Sequence, residues 1–282
     1  MFHSRKRIII NGTCLLLLSL LLPQSGHTAD VIRINGSGSG LHMMKPLISA
    51  YNKAHPEVEF EMDKPLGSSG SIKALLGGAI DIALSSRPLK PEETTLGATL
   101  QKYGETPLAI VTNKDVSKKD VTSHELADFY AGKTANWPDG KSVRLILRPV
   151  DDADTKVIRN LSTEMDVAMT IAQKRQGMTV AVTDPEAVEA IAKTPGALGA
   201  SGLTGVIVEQ LPLNVMSLNG VEPTPETLSN GAYPFVKPLD IVTLGALPDP
   251  AKKFLGFVYS NTGRAIAKTA GVKITAGEQS PW

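Results

Sequence analysis

Three times before Leu89 an apolar stretch runs into a turn rich in serine and glycine, and twice a helix-patterned segment follows at once. The first passage is Val31-Ile32-Arg33-Ile34, then Asn35-Gly36-Ser37-Gly38-Ser39-Gly40, then Leu41, Met44, Leu47, Ile48 and Tyr51 at helical spacing. The second is Val58-Glu59-Phe60-Glu61-Met62, then Leu66-Gly67-Ser68-Ser69-Gly70-Ser71, then Ile72, Leu75 and Leu76, stopped by Gly77-Gly78. The third is Asp81-Ile82-Ala83-Leu84, a buried-strand pattern that ends in Ser85-Ser86-Arg87. Strands alternating with helices predict an α/β fold with a mainly parallel sheet, and in such sheets ligands sit at the carboxyl ends of the strands.

The chemistry of these turns follows from their residue types. Glycine lets a backbone approach a ligand closely, and a helix start presents free N–H groups and a favourable dipole to an anion. Ser37, Ser39, Ser69 and Ser85 are candidate hydroxyl donors, with the backbone N–H groups of Gly38 and Gly70 beside them. The plainer reading of the same serines is turn and cap chemistry. Ser86 lies in the third turn, and Arg87 and Arg148 are the forked donors suited to an oxyanion. The competing reading is an internal ion pair with Asp151, Asp152 or Asp154, which would leave the site self-neutralised.

Farther along, residues 108–112 read as a strand, 113–120 as a polar crossover, and 123–131 as a helix ended by Gly132. A strand at 143–147 delivers Arg148-Pro149-Val150-Asp151-Asp152-Ala153-Asp154-Thr155 at its end. Residues 179–182 form a short strand, Asp184 is the expected N-cap of the next helix, and Pro185 is its first residue. A small-residue strand at 197–200, a Pro/Gly-rich stretch at 220–238, a strand at 239–244 and two closing helices complete the pattern.

The amino terminus carries Arg5, Lys6 and Arg7, an apolar run at 15–22, Pro23, and a polar stretch ending at Ala29, the arrangement of a cleavable secretory signal. The apolar run is too short to span a bilayer, so the expected protein is exported to the periplasm and not membrane-embedded. The chain has 29 Lys+Arg and 28 Asp+Glu, and losing those three bases with no acid leaves a net charge of about −2. That balance argues against nucleic acid as a partner. The single cysteine, Cys14, leaves with the signal, removing disulfide and thiolate chemistry.

Catalysis finds no support here. Glycine stands at the centre of what would be a nucleophile elbow, and no phosphate-loop lysine follows either glycine run. No cofactor is indicated, and no metal: His42-Met43-Met44 invites a soft ion, but methionines at adjacent helical positions fit packing better.

These residues resemble a family. The turns at 36–40 and 67–71, with Ile72-Lys73, and the segment Asp81-Ile82-Ala83-Leu84-Ser85-Ser86-Arg87-Pro88-Leu89 are similar to three binding loops of periplasmic phosphate-binding proteins, the solute receptors of ABC phosphate importers. Gly132-Lys133 with Asn136-Trp137, Tyr233-Pro234 with Pro238-Leu239, and Phe254-Leu255-Gly256-Phe257-Val258 resemble further segments of that family, in the same order. The resemblance implies a two-lobed periplasmic-binding-protein fold, the Venus-flytrap architecture, closing on a small oxyanion, phosphate first. It implies lobes at 30–112 plus 208–282 and at 113–207, and importer membrane subunits as partner, or alternatively a membrane sensor kinase.

The fourth loop departs from the family pattern. Arg148 is present and Thr155 can stand for the family's threonine, but Asp152, Ala153 and Asp154 replace small hydroxyl and glycine residues. A fixed carboxylate beside a dianion costs on the order of several kcal/mol at low dielectric. A different solute, neutral or carrying a cationic group, is therefore the alternative ligand. The binding residues implied are Ser37, Gly38, Ser39, Ser69, Gly70, Ser85, Ser86, Arg87, Arg148, Asp152, Asp154 and Thr155.

Overall fold

The computed structural model describes residues 30–277, besides Met1, and the expected signal segment lies outside the described residues. β1 (Asp30–Gly36), α1 (Gly38–Ala54), β2 (Val58–Glu61), α2 (Gly67–Leu76) and β3 (Ile82–Ser85) follow one another, and α3 (Pro91–Thr95) leads into β4 (Ala98–Asn113). Beyond it come β5 (Asp120–Val121), α4 (Ser123–Ala131), β6 (Arg144–Leu147), α5 (Ala153–Arg159), α6 (Thr163–Lys174), β7 (Thr179–Val180), α7 (Asp184–Lys193), β8 (Ala197–Gly202) and α8 (Leu203–Glu209). The return runs through β9 (Leu213–Val215), β10 (Ser217–Leu218) and α9 (Pro225–Ser229) to β11 (Val236–Leu244). Helices α10 (Asp249–Tyr259) and α11 (Asn261–Thr269) and strand β12 (Lys273–Ile274) close the chain.

The main sheet path is β2-β1-β3-β11-β4-β8-β6-β7. Its wings are parallel, β1 with β2 and β3 on one side and β6 with β7 and β8 on the other. The middle is antiparallel, because β11 and β4 run between the wings in opposite directions. The expected parallel sheet is thus present in each wing and interrupted at the crossing. Along β4 the first half pairs with β11 and the second half with β8 and β9, so one long strand belongs to both wings.

Each wing buries its own core. Ile32, Leu47, Tyr51, Phe254 and Leu255 pack together in the first, with Tyr51 and Phe60 each meeting Phe254 edge-on. Leu126, Phe129, Trp137, Met165 and Leu198 pack in the second, and Met216, Leu218, Tyr233 and Phe235 join them there. The result is a two-lobed α/β architecture with helices flanking a shared sheet.

Several expectations shift by a turn. The sequence pattern puts loops at 36–40 and 67–71, whereas the glycines and serines form the first turns of α1 and α2. The cause at α1 is Ser37, whose hydroxyl accepts from the Gly40 N–H at 3.2 Å and caps the helix three residues early. β4 begins ten residues before the expected 108, at Ala98. β11 begins at Val236 despite Pro238, whose strand is irregular next to it between Leu239 and Asp240. Helix α8 was not anticipated from the sequence. Helix α4 matches the expected span, with Gly132 at φ 75° ending it.

Gly36 sets how closely β1 and β3 can approach ahead of the first turn. A Cβ there would lie 2.4 Å from Leu84 Cβ and 2.5 Å from the Leu84 carbonyl oxygen. Gly36→Ala should therefore cost roughly 1–3 kcal/mol of stability in urea unfolding, by overpacking. An unchanged midpoint would mean that this contact does not set the spacing.

Candidate functional site

The three serine-bearing turns meet where the wings face each other. Ser86 Oγ donates to Ser37 Oγ at 2.9 Å, and the Ser86 N–H donates to Ser68 Oγ at 2.9 Å. Arg87 Nε donates to Ser69 Oγ at 3.1 Å. From the opposite wing, the end of β6 brings Arg148, the start of α5 brings Asp152 and Asp154, and the start of α7 brings Asp184. Strand β11 adds Lys237 from the crossing. Ser37, Gly38, Ser69, Ser86, Arg87, Arg148, Asp152, Asp154, Asp184 and Lys237 all line one cavity of about 510 Å³.

Four expected residues are off this cavity's wall, among them Ser39, which is fully buried and bonded to Asp184. Ser85 Oγ donates to the Arg87 carbonyl at 2.7 Å and serves its own turn. Thr155 Oγ1 is directed at the Arg148 carbonyl, 3.4 Å away, and Gly70 sits inside α2, so neither is on the cavity wall. A second cavity, of about 630 Å³, opens beside β6 with Arg144 and Arg175 on its wall and contains none of the serine turns. Arg175 there is bonded to the Tyr130 carbonyl at 2.9 Å.

Both arginines are engaged within the protein. Arg87 forks onto Glu93 at 2.9 and 2.6 Å, and this pairing holds the Glu93 carboxyl below its ordinary range. The sequence suggested an aspartate partner for Arg87; the partner is instead the third residue of α3, in reach because the turn after β3 is short. Arg148 meets Asp152 Oδ2 at 2.9 Å and Asp184 Oδ1 at 3.1 Å.

Lys237 and Asp184 complete a buried knot of charge. Lys237 Nζ lies 2.6 Å from Asp154 Oδ1 and 2.9 Å from Asp184 Oδ2, and all three residues are at most 3% exposed. From the first wing, Ser39 Oγ donates to Asp184 Oδ2 at 2.8 Å. Three carboxylates thus face two cations, a net charge of −1 that a proton would cancel. Burial drives the Asp154 carboxyl up to about 7, with Asp184 and Asp152 adding to the effect and Lys237 opposing it. Asp184 goes the other way: burial would raise it, but Lys237 and Arg148 outweigh burial and hold it well below its usual value. The proton of the knot therefore belongs on Asp154. Lys237 stays charged, because Asp154 and Asp184 outweigh the burial that would lower it.

Sequence reasoning missed both Lys237 and the role of Asp184. Lys237 falls in a Pro/Gly-rich stretch with no signal for burial. Asp184-Pro185 reads as a cap, but Thr183 is the N-cap, accepting from the Glu186 N–H, and this leaves the Asp184 side chain free to cross the cleft. His42 is also buried, and burial lowers its pKa; its Nε2 is 3.4 Å from Glu209, while Met43 and Met44 are core residues.

Residues 23–262 match the family described as PBP superfamily domain. The phosphate-binding protein PstS of Borreliella burgdorferi is 29% identical over 250 residues, spanning 86% of this chain and 88% of the relative. PstS of Bacillus subtilis is 25% identical over 232 residues, 79% of this chain and 74% of the relative. Among solved structures, a protein from Clostridium perfringens with bound phosphate superposes with a TM-score of 0.71 at 23% identity, covering 86% of this chain and 98% of that one. An ABC-type phosphate transport receptor from Vibrio cholerae gives 0.58 at 20% identity, covering 86% and 99%. These two share the fold.

The knot makes stability depend on pH. A carboxyl whose folded pKa is raised stabilises the fold below its unfolded value near 4 and loses that contribution as pH climbs through its folded value. Asp154, pushed up to about 7, and Asp240, pushed up by burial to about 6, both act in this sense. His42, whose pKa burial lowers, acts in the opposite sense over the same range, and the net unfolding free energy should fall by roughly 1–3 kcal/mol between pH 4.5 and 7.5. Asp154→Asn should flatten that slope in urea titrations at several pH values; an unchanged slope would contradict the assignment of the proton to Asp154.

Proposed function

Because this chain belongs to the family described as PBP superfamily domain, we propose that it is a periplasmic receptor that captures a small oxyanion, phosphate first, between its lobes for an ABC importer. The relatives' names as phosphate-binding proteins support this reading over that of an adaptor for a membrane kinase. The observation that carries it is the way Asp184 is held. One Ser39 hydroxyl, one ammonium and one guanidinium converge on an oxyanion at the start of α1. Donors of that type and placement suit phosphate as well as carboxylate. No helix among the described residues is long and apolar enough to cross a membrane, which suits a receptor that works beside one.

In this reading the ligand contacts are Ser37, Gly38, Ser39, Ser69 and Ser86 from one lobe and Arg148 from the other, with Lys237 at the crossing. Asp152 and Asp154 hold the cations in place and Asp154 can take a proton, so the site accepts an anion without gathering excess negative charge. The lobes open and close about the two crossing strands, near Thr106 in β4 and Val236 in β11. A lobe boundary at about 236 in place of 208 suits this reading, since Tyr233 and Phe235 pack with residues of the second core.

A thermal-shift screen of the signal-free protein against phosphate, arsenate, sulfate and molybdate tests this. Phosphate at a hundred times its dissociation constant adds about 2.7 kcal/mol, which for a chain of this size raises the melting temperature by roughly 5 °C or more. Absence of any phosphate shift between pH 5 and 8 would overturn the phosphate assignment.

A further inference from the structure

The cleft already contains an anion, and it is part of the chain. Asp184 extends from the second lobe into the first turn of α1, where Ser39, Lys237 and Arg148 bond both of its carboxylate oxygens. Its own helix does not need it there, because Thr183 caps α7. The fit is close on both sides. A Cβ on Gly38 would lie 2.5 Å from Asp184 Cβ, and a Cβ on Gly202 would lie 2.2 Å from Ser39 Oγ, so each lobe offers a glycine where the other inserts a side chain. In the receptor reading above, Ser39, Lys237 and Arg148 are the oxyanion's donors as well.

We infer that Asp184 is an internal substitute ligand: it latches the empty lobes together and must be displaced before a solute oxyanion can enter. The inference deepens the receptor reading of the same cleft by naming what regulates it. The latch answers a definite problem. Lys237 and Arg148 are buried charges, and with the proton on Asp154 only Asp152 faces them as a carboxylate besides Asp184; an uncompensated buried charge is strongly destabilising. Asp184 supplies the missing charge when no solute does. The cost is competition: the measured affinity for any solute is reduced by the fraction of molecules in which the seat is free. Asp184 is thereby a specificity-determining residue, since only an anion that satisfies Ser39, Lys237 and Arg148 better than a carboxylate can replace it.

The test is to remove the carboxylate and return it from solution. Asp184→Ala leaves a gap of the size of one carboxylate, which formate can fill. Its melting temperature should lie below that of the unmodified protein and rise with formate, measured against chloride at equal ionic strength, while the unmodified protein does not respond. Its dissociation constant for inorganic phosphate should fall about tenfold or more. Asp184→Asn, whose amide keeps the shape, should not respond to formate but should bind phosphate more tightly than the unmodified protein. Equal formate responses in Asp184→Ala and the unmodified protein, or an unchanged phosphate affinity, would overturn the latch. If Asp184→Ala does not fold, an unchanged phosphate affinity in Asp184→Asn overturns it alone. Phosphate binding by Asp184→Ala but not by the unmodified protein would uphold the latch and defeat the receptor reading. Phosphate binding of equal strength in both would do the reverse.

Discussion

Two cations, Lys237 and Arg148, are buried where the lobes meet, and the surrounding structure is arranged to match their charge. Removing an ammonium and a guanidinium from water is costly unless counter-charges and hydrogen bonds replace the solvent. The first turns of α5 and α7 supply those counter-charges as Asp152, Asp154 and Asp184. The first turn of α1 supplies a hydroxyl through Ser39. Because Lys237 stands on a crossing strand, Asp184 on one lobe and Ser39 on the other, the knot is also a joint between the lobes. Its excess carboxylate explains why burial lifts Asp154 to about 7 while Asp184 remains ionised.

A knot of this kind links occupancy to shape. A solute oxyanion and Asp184 compete for the same donors, so a bound phosphate replaces an internal contact instead of filling a void. The number of hydrogen bonds need not change when that happens, and neither need the net charge if Asp154 takes up or releases a proton. Selectivity then arises from the difference between two anions in one seat, which is a more demanding criterion than attraction to positive charge alone. Arg87 contributes less directly. Its fork is taken by Glu93, so it fixes the third serine turn and presents an edge to the cavity through Ser69.

Much of this was legible in the residues. Gly36 through Gly40, Gly67 through Ser71 and Ser85-Ser86-Arg87 mark the strand ends that converge, because a glycine- and serine-rich start to a helix has few structural reasons to recur. Arg148, Asp152 and Asp154 follow from the strand that delivers them, and the possibility that acids would neutralise the arginines was visible in their proximity. What the sequence could not convey was contact across the cleft. Asp184 looks like a cap because Asp-Pro at a helix start usually is one, and only the adjacent Thr183 displaces it from that duty. Lys237 precedes a proline, which argues against a central strand, yet β11 runs through Pro238 in regular register with β4 and Lys237 is buried there. The early half of β4 was missed for a related reason: Gln101 and Lys102 carry no clear alternation, and their pairing with β11 decides their state.

The claim on which the account depends is that the knot is an anion seat held by a carboxylate of the protein itself. A crystal structure of residues 30–282 grown with phosphate addresses it directly. The account predicts phosphate oxygens within hydrogen-bonding distance of Ser39 Oγ, Lys237 Nζ and Arg148, with the Asp184 carboxylate withdrawn from all three. Phosphate bound elsewhere, with the Ser39–Asp184 contact still at its present 2.8 Å, would contradict it.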